Sequence, residues 1–154
     1  MARLSEGQKA PLFTLRNHEG AKVALREFAG QRVVLYFYPA DDTPGCTKEA
    51  CQFSDAMRSF TRLKVTVLGV SPDDAAKHLA FRSKYGLGFD LLSDPTRAVM
   101  EKYGAYGEKM MYGRPVMGVI RSTFVIGPTG RIERAWYGVR ADGHAAKVFE
   151  TLFA

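Results

Sequence analysis

Residues 32–51 read RVVLYFYPADDTPGCTKEAC. From Arg32 to Tyr38 the side chains are almost all β-branched, aliphatic or aromatic, which is typical of a strand buried on both faces of a sheet. A polar turn follows, and Pro44 opens a pattern of helical spacing that continues to about Arg62. The stretch therefore predicts a central strand, a tight turn and a helix whose first turn carries Cys46.

Along the rest of the chain the apolar spacing alternates between a period of about 2 and a period of about 3.6 residues, which is typical of an α/β domain. We predict short extended segments near Phe13–Leu15 and Val23–Leu25, a strand Val65–Val70, a helix Asp73–Tyr85 capped by Ser71 and Pro72, weaker segments Asp90–Ser93 and Arg97–Tyr103, a hairpin of Ser122–Ile126 and Ile132–Tyr137, and a closing helix from Asp142 to about Phe153. Residues 104–118 contain four glycines and a proline, and we expect them to form a long surface loop in which the methionines are packed.

The composition is that of an ordinary globular protein. A chain of 154 residues that is 46% hydrophobic and 25% charged is neither disordered nor fibrous, and we expect one domain over residues 1–154. The net charge of +6 is spread along the chain, so we expect no nucleic-acid partner. No apolar run approaches the roughly 20 residues of a membrane-spanning helix, and Met1 to Pro11 is polar. We therefore expect a cytoplasmic protein that does not bind membranes.

The chain has two cysteines, Cys46 and Cys51. Two thiols are too few for a disulfide framework or a four-thiolate zinc site, and close together in a reducing compartment they suggest redox work. If Thr43 caps the helix and Pro44 is its first residue, Cys46 is the third, where free backbone N–H groups and the helix dipole favour negative charge. We therefore expect the pKa of Cys46 to fall below about 8.5. The alternative is an inert, buried structural cysteine.

The spacing of the two cysteines limits how they can pair. Residues five apart in an intact helix are separated by roughly 8.7 Å between Cα atoms, whereas a disulfide needs a Cα separation under about 7 Å. Either Cys46 and Cys51 never bridge, or the first turns of the helix unwind when they do. If they never bridge, Cys51 is a buried apolar filler.

The three histidines, His18, His78 and His144, are far apart in the sequence and have no cysteine or carboxylate cluster at ligand spacing. We therefore expect no zinc or iron site, and we expect surface or packing histidines. Gly86-Leu87-Gly88 lacks the third glycine of a dinucleotide-binding motif, and we expect no organic cofactor.

The order of Pro39, Thr43 and Cys46, together with the later Arg121, resembles the peroxidatic motif of peroxiredoxins. The second cysteine five residues after the first is similar to the bacterioferritin comigratory protein or plant Q-type branch of that family. Further segments that carry the resemblance are Met111-Tyr112-Gly113, Arg121-Ser122-Thr123-Phe124 and Gly143-His144. The resemblance implies a thioredoxin-like fold, in which helices flank a central mixed β-sheet and a β-hairpin extends the N-terminus.

The resemblance also implies roles for the motif residues. Cys46 would be the peroxidatic nucleophile, Thr43 would hydrogen-bond the thiolate or the peroxide, and Pro39 would shield the pocket. Arg121, placed at the start of a predicted strand, would hold its positive charge opposite the sulfur. Glu49 follows Cys46 by three residues on the same helical face and is placed to pair with Arg121. The alternative for Glu49 is a plain surface carboxylate.

By the same resemblance, hydrogen peroxide or an organic hydroperoxide would oxidise Cys46 to a sulfenic acid. Cys51 would resolve that acid as an intramolecular disulfide with Cys46, and thioredoxin or a similar dithiol would reduce the disulfide. We expect a monomer, with a weak homodimer as the alternative.

Two other functions are open from the residues alone. A thioredoxin-like protein disulfide exchanger would share the fold, but it would normally carry Cys-x-x-Cys at the helix start, whereas this chain has Cys-x4-Cys. A noncatalytic binding or holdase module would leave Cys46 as an inert core residue.

Overall fold

A seven-stranded mixed sheet runs through the computed structural model, which describes residues 3–62 and 65–153. The strands are β1 (Thr14–Asn17), β2 (Lys22–Ala24), β3 (Arg32–Phe37), β4 (Val65–Ser71), β5 (Asp90–Ser93), β6 (Tyr106–Met111), β7 (Arg114–Val119), β8 (Ser122–Ile126) and β9 (Ile132–Tyr137). The helices are α1 (Pro44–Arg62), α2 (Ala75–Tyr85), α3 (Ala98–Lys102) and α4 (His144–Phe153), with a short 3-10 helix at Leu25–Phe28. The order in the large sheet is β2-β1-β5-β4-β3-β8-β9, and β6 and β7 form a separate pair.

Strand β3 lies at the centre of the sheet. It runs parallel to β4 and antiparallel to β8, and β4 runs parallel to β5. Residues Val33–Phe37 are all buried, as the apolar run predicts. Because side chains alternate across a strand, Leu35 contributes to one hydrophobic cluster and Tyr36 to the other. The sheet therefore carries a core on each face, and the predicted α/β class with a central mixed sheet is confirmed.

Helices cover both faces of this sheet. Phe53 of α1, Phe81 of α2 and Val148 of α4 pack in the same cluster as Tyr36. Met100 of α3 packs in the cluster on the opposite face. Helix α1 also packs directly against α4 and β4, and α2 packs against β5. The helix that carries Cys46 is thus packed against both the sheet and the C-terminal helix.

The N-terminal hairpin predicted from the sequence is present. Strands β1 and β2 pair antiparallel, with Leu15 opposite Val23. Strand β1 also pairs with β5, so the hairpin extends one edge of the central sheet. The predicted hairpin of β8 and β9 is confirmed as well.

Two predicted helix boundaries are shifted. Helix α2 begins at Ala75 rather than Asp73, because Asp74 is the N-cap and its side chain accepts a hydrogen bond from the backbone N–H of Lys77. Helix α4 begins at His144 rather than Asp142.

The prediction of a long surface loop over residues 104–118 is wrong. Most of the segment belongs to an antiparallel hairpin, β6 and β7, whose two-residue turn is Tyr112 and Gly113. Both turn residues have positive φ, 52° and 78°, as a tight hairpin turn requires. The methionines of the hairpin, Met110, Met111 and Met117, are exposed rather than packed. Glycines in the ladder and residues of modest strand propensity conceal this hairpin from a reading of the sequence.

Within the ranges that the structure describes, no helix combines the length and the apolar character needed to cross a membrane.

Candidate active site

The sheet topology brings two distant parts of the chain together at one end of β3. Strand β3 ends at Phe37, and Phe37 lies opposite Ser122, the first residue of β8. The turn after β3 leads into α1, while Arg121 directly precedes β8. The first turn of α1 and the residue before β8 therefore meet at this end of the sheet.

Cys46 lies in the first turn of α1 and is only 2% exposed. Its Sγ atom accepts a hydrogen bond from Nη2 of Arg121 at 3.3 Å. The guanidinium places a positive charge against the sulfur, which stabilises negative charge there. On the approach to the sulfur, Gly45 is exposed, and a Cβ atom at that position would lie 3.3 Å from Nη2 of Arg121.

The same guanidinium binds Glu49. Nη1 of Arg121 donates to Oε1 of Glu49 at 2.6 Å, and Glu49 is fully buried. Burial raises the pKa of Glu49 to about 7, although Arg121 acts in the opposite direction. Burial would lower the pKa of Arg121, but Glu49 and Cys46 outweigh it and raise that pKa. One cation therefore faces two groups that can each carry a negative charge.

This arrangement couples the two acidic groups. When the Glu49 carboxyl is ionised, it neutralises Arg121 and competes with a thiolate at Cys46 for the same cation. When it is protonated, the full charge of Arg121 is available to the sulfur. Oε2 of Glu49 is buried without a hydrogen-bond partner among the described atoms, which leaves the ionised form poorly stabilised.

Thr43 lies between the turn and the helix. Its carbonyl accepts the backbone N–H of Thr47 at 2.8 Å, so Thr43 directly precedes the helix. Its hydroxyl donates to the Ala40 carbonyl at 2.9 Å instead of accepting a backbone N–H of the helix as a side-chain cap would. The lone pairs of Oγ1 are thereby left to accept a proton donor, such as the O–H of a hydroperoxide. Pro39 is half-buried and lies two residues after the end of β3.

A buried network that the sequence analysis does not identify holds the turn. Oδ2 of Asp41 lies 2.6 Å from Nδ1 of His78, and Oδ1 accepts the Tyr38 hydroxyl at 2.5 Å. Nε2 of His78 lies 2.9 Å from the Leu92 carbonyl, and the backbone N–H of Asp41 donates to Asp73. Helix α2 thereby fixes the turn that carries Thr43. Asp41 lies two residues after Pro39, but nothing in the local sequence pattern indicates that it contacts His78 on α2.

Cys51 lies farther along the same unbroken helix and is half-buried. Burial, with Asp55 as a second cause, raises the pKa of this thiol. Both cysteines are free. Since α1 is continuous from Pro44 to Arg62, the helical spacing argument applies, and a disulfide between Cys46 and Cys51 requires the first turns to unwind.

Polar contacts tie this part of α1 to the segment before α4. The side chain of Gln52 donates to Asp142 at 2.8 Å and accepts the backbone N–H of Gly143 at 2.9 Å. His144 packs edge-on against Phe53 with its Nε2 2.7 Å from Oγ1 of Thr123. Burial, assisted by Lys147 and Arg121, lowers the pKa of His144 to about 4, so this ring is neutral at pH 7.

The remaining histidine, His18, is also buried, and none of the three joins the cysteine site. Across residues 3–62 and 65–153, no group of three histidine, cysteine or acidic side chains is close enough to hold a metal ion.

Comparison with known proteins places this geometry in a family. The sequence model of the AhpC/TSA family matches residues 6–135. Peroxiredoxin Bcp of Bacillus subtilis is 42% identical over 146 residues, which cover 95% of this chain and 93% of the relative.

Solved structures agree in fold over nearly the whole chain. A cysteine-to-serine mutant of PrxQ from Xylella fastidiosa superposes with a TM-score of 0.92 at 36% identity, covering 99% of this chain and 98% of that one. The bacterioferritin comigratory protein of Xanthomonas campestris superposes with a TM-score of 0.86 at 38% identity, covering 92% and 90%. The latter was solved as trapped intermediate and ligand complexes in work on its alkyl peroxide reduction activity.

These matches favour the peroxidase over the disulfide exchanger and the noncatalytic module. The chain therefore belongs to the AhpC/TSA family and is a peroxiredoxin of the Bcp and Q type, a thiol peroxidase with a thioredoxin-like fold.

Proposed function

We propose that Cys46 is the peroxidatic cysteine and that it reduces hydrogen peroxide and organic hydroperoxides. The observation that carries the proposal is the single guanidinium of Arg121, which contacts Sγ of Cys46 at 3.3 Å and Oε1 of Glu49 at 2.6 Å. The alkyl peroxide reduction studied in the Xanthomonas campestris relative supports the organic substrates.

In the first step, the Cys46 thiolate attacks one oxygen of the hydroperoxide. The S–O bond forms as the O–O bond breaks, sulfur loses two electrons, and the departing oxygen leaves with its electron pair and takes up a proton as water or an alcohol. A more acidic thiol alone contributes little, because a lower pKa also reduces intrinsic nucleophilicity. The larger contribution comes from donors aimed at the charge that develops on the leaving oxygen.

The site residues supply this stabilisation in the proposed mechanism. Arg121 holds its charge against the reacting sulfur and the adjacent oxygens. The Thr43 hydroxyl, whose proton is directed to Ala40, accepts the O–H of the hydroperoxide and orients it. Glu49 fixes the guanidinium through its short hydrogen bond, and Pro39 limits the access of water to the pocket.

In the second step, the Cys51 thiol condenses with the sulfenic acid and releases water. The first turns of α1 unwind to bring the two sulfurs together. A thioredoxin-type dithiol then transfers two electrons to the disulfide and restores both thiols. We further propose that the protein works as a single domain and as a monomer, in a reducing compartment such as the cytoplasm, and size-exclusion chromatography with light scattering tests the monomer.

Two matched serine variants test the assignment. With a thioredoxin system and hydrogen peroxide, Cys46→Ser is expected to abolish peroxide consumption. Cys51→Ser is expected to keep the first oxidation at the wild-type rate, with the sulfenic acid trapped by dimedone and located by mass spectrometry, while recycling by thioredoxin slows. Peroxide turnover by Cys46→Ser would refute the nucleophile, and unchanged recycling in Cys51→Ser would remove its resolving role.

A further inference from the structure

The turn that carries Thr43 lies beside the segment that follows β4. Strands β3 and β4 run parallel, with Phe37 opposite Val70, so their carboxyl ends meet at the same edge of the sheet. The backbone N–H of Tyr38 donates to the Val70 carbonyl at 3.0 Å, which continues the pairing past the end of β3. The residues after the two strands are therefore neighbours, and Asp73, two residues after β4, contacts the turn.

The carboxylate of Asp73 is held by the end of β4. The Ser71 hydroxyl donates to Oδ2 of Asp73 at 2.8 Å and accepts the backbone N–H of Asp73 at 3.2 Å. Ser71 is the last residue of β4 and is fully buried, and the Asp73 side chain is only 13% exposed. The sheet therefore fixes the position of Oδ2.

The same oxygen reaches the turn through one peptide unit. Oδ2 of Asp73 accepts the backbone N–H of Asp41 at 2.7 Å. The peptide unit between Ala40 and Asp41 is trans and planar, so its carbonyl points away from its N–H. That carbonyl accepts the Thr43 hydroxyl at 2.9 Å. The carboxylate thus sets the plane of the peptide unit, and the peptide unit sets the direction in which the Thr43 hydroxyl proton points.

These hydrogen bonds form a chain in which each donor points toward the carboxylate. In the proposed mechanism the hydroperoxide adds one more donor at the other end, since its O–H donates to Oγ1 of Thr43. Hydrogen bonds in such a chain polarise one another, so the carboxylate of Asp73 makes Oγ1 a stronger acceptor. Without a fixed Ala40 carbonyl, the Thr43 hydroxyl is free to rotate its proton toward the substrate, which removes the acceptor.

A separate contact with α2 holds the turn without this peptide unit. The carboxylate of Asp42, whose φ is 56°, accepts from Nζ of Lys84 at 2.8 Å and from the Tyr85 hydroxyl at 2.7 Å. This contact fixes the course of the chain after the peptide unit. The effect of Asp73 on the Thr43 hydroxyl can therefore be separated from the general stability of the turn.

We propose that Asp73 is a positioning residue of the peroxidase reaction: its carboxylate fixes the peptide unit between Ala40 and Asp41 and thereby keeps the Thr43 hydroxyl oriented to accept the O–H of the hydroperoxide. The proposal rests on the proposed peroxidase function of Cys46 and adds to it a residue that touches neither the sulfur nor the substrate. Because Asp73 acts through Thr43, its effect on the reaction disappears when the Thr43 hydroxyl is removed.

The test is a double-mutant cycle between Asp73 and Thr43. All proteins carry Cys51→Ser, so that the sulfenic acid is the end point, and stopped-flow measures the rate of oxidation by equimolar hydrogen peroxide. Asp73→Ala is expected to slow this step about tenfold, which corresponds to about 1.4 kcal/mol for a hydrogen bond to a charged group. Thr43→Val removes the hydroxyl, and adding Asp73→Ala to it is expected to change the rate by less than about twofold. An equal loss in both backgrounds would overturn the proposal.

Alkylation of Cys46 by iodoacetamide separates positioning from a general disturbance of the site. The displacement of iodide needs a thiolate but no acceptor for a peroxide O–H. Asp73→Ala is therefore expected to leave the alkylation rate within about twofold of that of the parent protein. If alkylation and oxidation slowed equally, Asp73 would have only a structural role.

Two variants of the same segment serve as controls. Asp73→Asn keeps an oxygen that accepts the Asp41 N–H, and it is expected to retain the oxidation rate within about threefold, because a neutral acceptor is weaker than a charged one. An Asn variant as slow as Asp73→Ala would contradict the orientation of the peptide unit. Asp74→Ala removes the N-cap of α2 at the next residue and is expected to lower the free energy of unfolding without changing the oxidation rate.

If Asp73→Ala does not fold, Ser71→Ala replaces it in the cycle. This variant removes the hydroxyl that holds the carboxylate and is expected to slow oxidation about threefold when Thr43 is present but not in Thr43→Val. An unchanged rate, or an equal loss in both backgrounds, would refute the proposal. The two proposals fail differently, because a parent protein that forms no sulfenic acid refutes the peroxidatic role of Cys46, whereas additive losses in a reactive protein refute only the role of Asp73.

Discussion

Replacing Glu49 by glutamine should change how the stability of the protein depends on pH. Glutamine has the shape of glutamate and keeps an oxygen that accepts from Nη1 of Arg121, but it cannot ionise. In the folded chain, burial raises the pKa of Glu49 from its ordinary value of 4.5 to about 7. The carboxyl therefore binds its proton more tightly when folded than when unfolded. Its contribution to stability is fully present at low pH and is lost as the pH rises from 4.5 through about 7.

The magnitude follows from the size of the shift. One pKa unit corresponds to about 1.4 kcal/mol, so the full difference is on the order of 3 kcal/mol, of which about 2 to 3 kcal/mol falls between about pH 5 and about pH 8. In a chain of this size, 1 kcal/mol of stability corresponds to about 2 to 4 °C in melting temperature. Glu49 alone should therefore lower the melting temperature of the wild type by roughly 5 to 10 °C between these two pH values.

The assay is urea unfolding of the reduced protein, followed by circular dichroism at these two pH values. We expect the free energy of unfolding of Glu49→Gln to fall by about 2 to 3 kcal/mol less between the lower and the higher pH than that of the wild type. Other titrating groups, such as His144, occur in both proteins and cancel in the comparison. If the free energy of unfolding changed equally with pH in wild type and variant, Glu49 would be ionised at both pH values. The inference that Glu49 and Cys46 are coupled through Arg121 would then be wrong.

Three further substitutions probe the reacting sulfur and the helix that carries it. Arg121→Met should reduce the rate of the first oxidation about 10²- to 10³-fold in stopped-flow measurements with hydrogen peroxide, as expected for the loss of a preorganised donor, and a normal rate would remove it from the mechanism. Gln52→Ala removes the hydrogen bonds to Asp142 and Gly143 that hold α1. Because their loss lowers the free-energy cost of unwinding by about 1 kcal/mol, disulfide formation after oxidation should become about fivefold faster. Single-turnover mass spectrometry measures this rate. Gly45→Ala should slow the same step about fivefold when it is followed from the sulfenic acid already formed, because alanine stabilises a helix by up to about 1 kcal/mol over glycine. Since the added Cβ would lie 3.3 Å from Nη2 of Arg121, the rate of the first oxidation is measured separately. Equal rates of disulfide formation in the Gln52 and Gly45 variants would contradict unwinding of α1.

Much of the fold is predictable because local chemistry and tertiary structure agree. The run from Arg32 to Tyr38 is apolar since β3 is buried on both faces, and Pro44 marks the start of α1 because its missing N–H costs nothing there. The β6–β7 hairpin escapes prediction because its glycines serve a ladder and a tight turn, although glycines are also typical of loops.

The site is less predictable from the sequence than the fold. Arg121 and Glu49 are expected near Cys46, and the structure brings them together through the pairing of β3 with β8. The pair of Asp41 and His78 is not foreseeable, because it depends on how α2 packs over the turn rather than on any local spacing.

In the proposed cycle, Arg121 directly before a strand of the sheet and Cys46 at a helix end can separate from one another. We expect strand β8, which pairs with β3 and β9, to keep its place when the first turns of α1 open, so that the sulfur leaves its cation while the guanidinium stays beside the sheet. An oxidised molecule whose helix end opens before a second peroxide arrives is thus withdrawn from the environment that activated it. The balance between opening of the helix end and arrival of the next oxidant then sets how many turnovers the enzyme completes before irreversible damage.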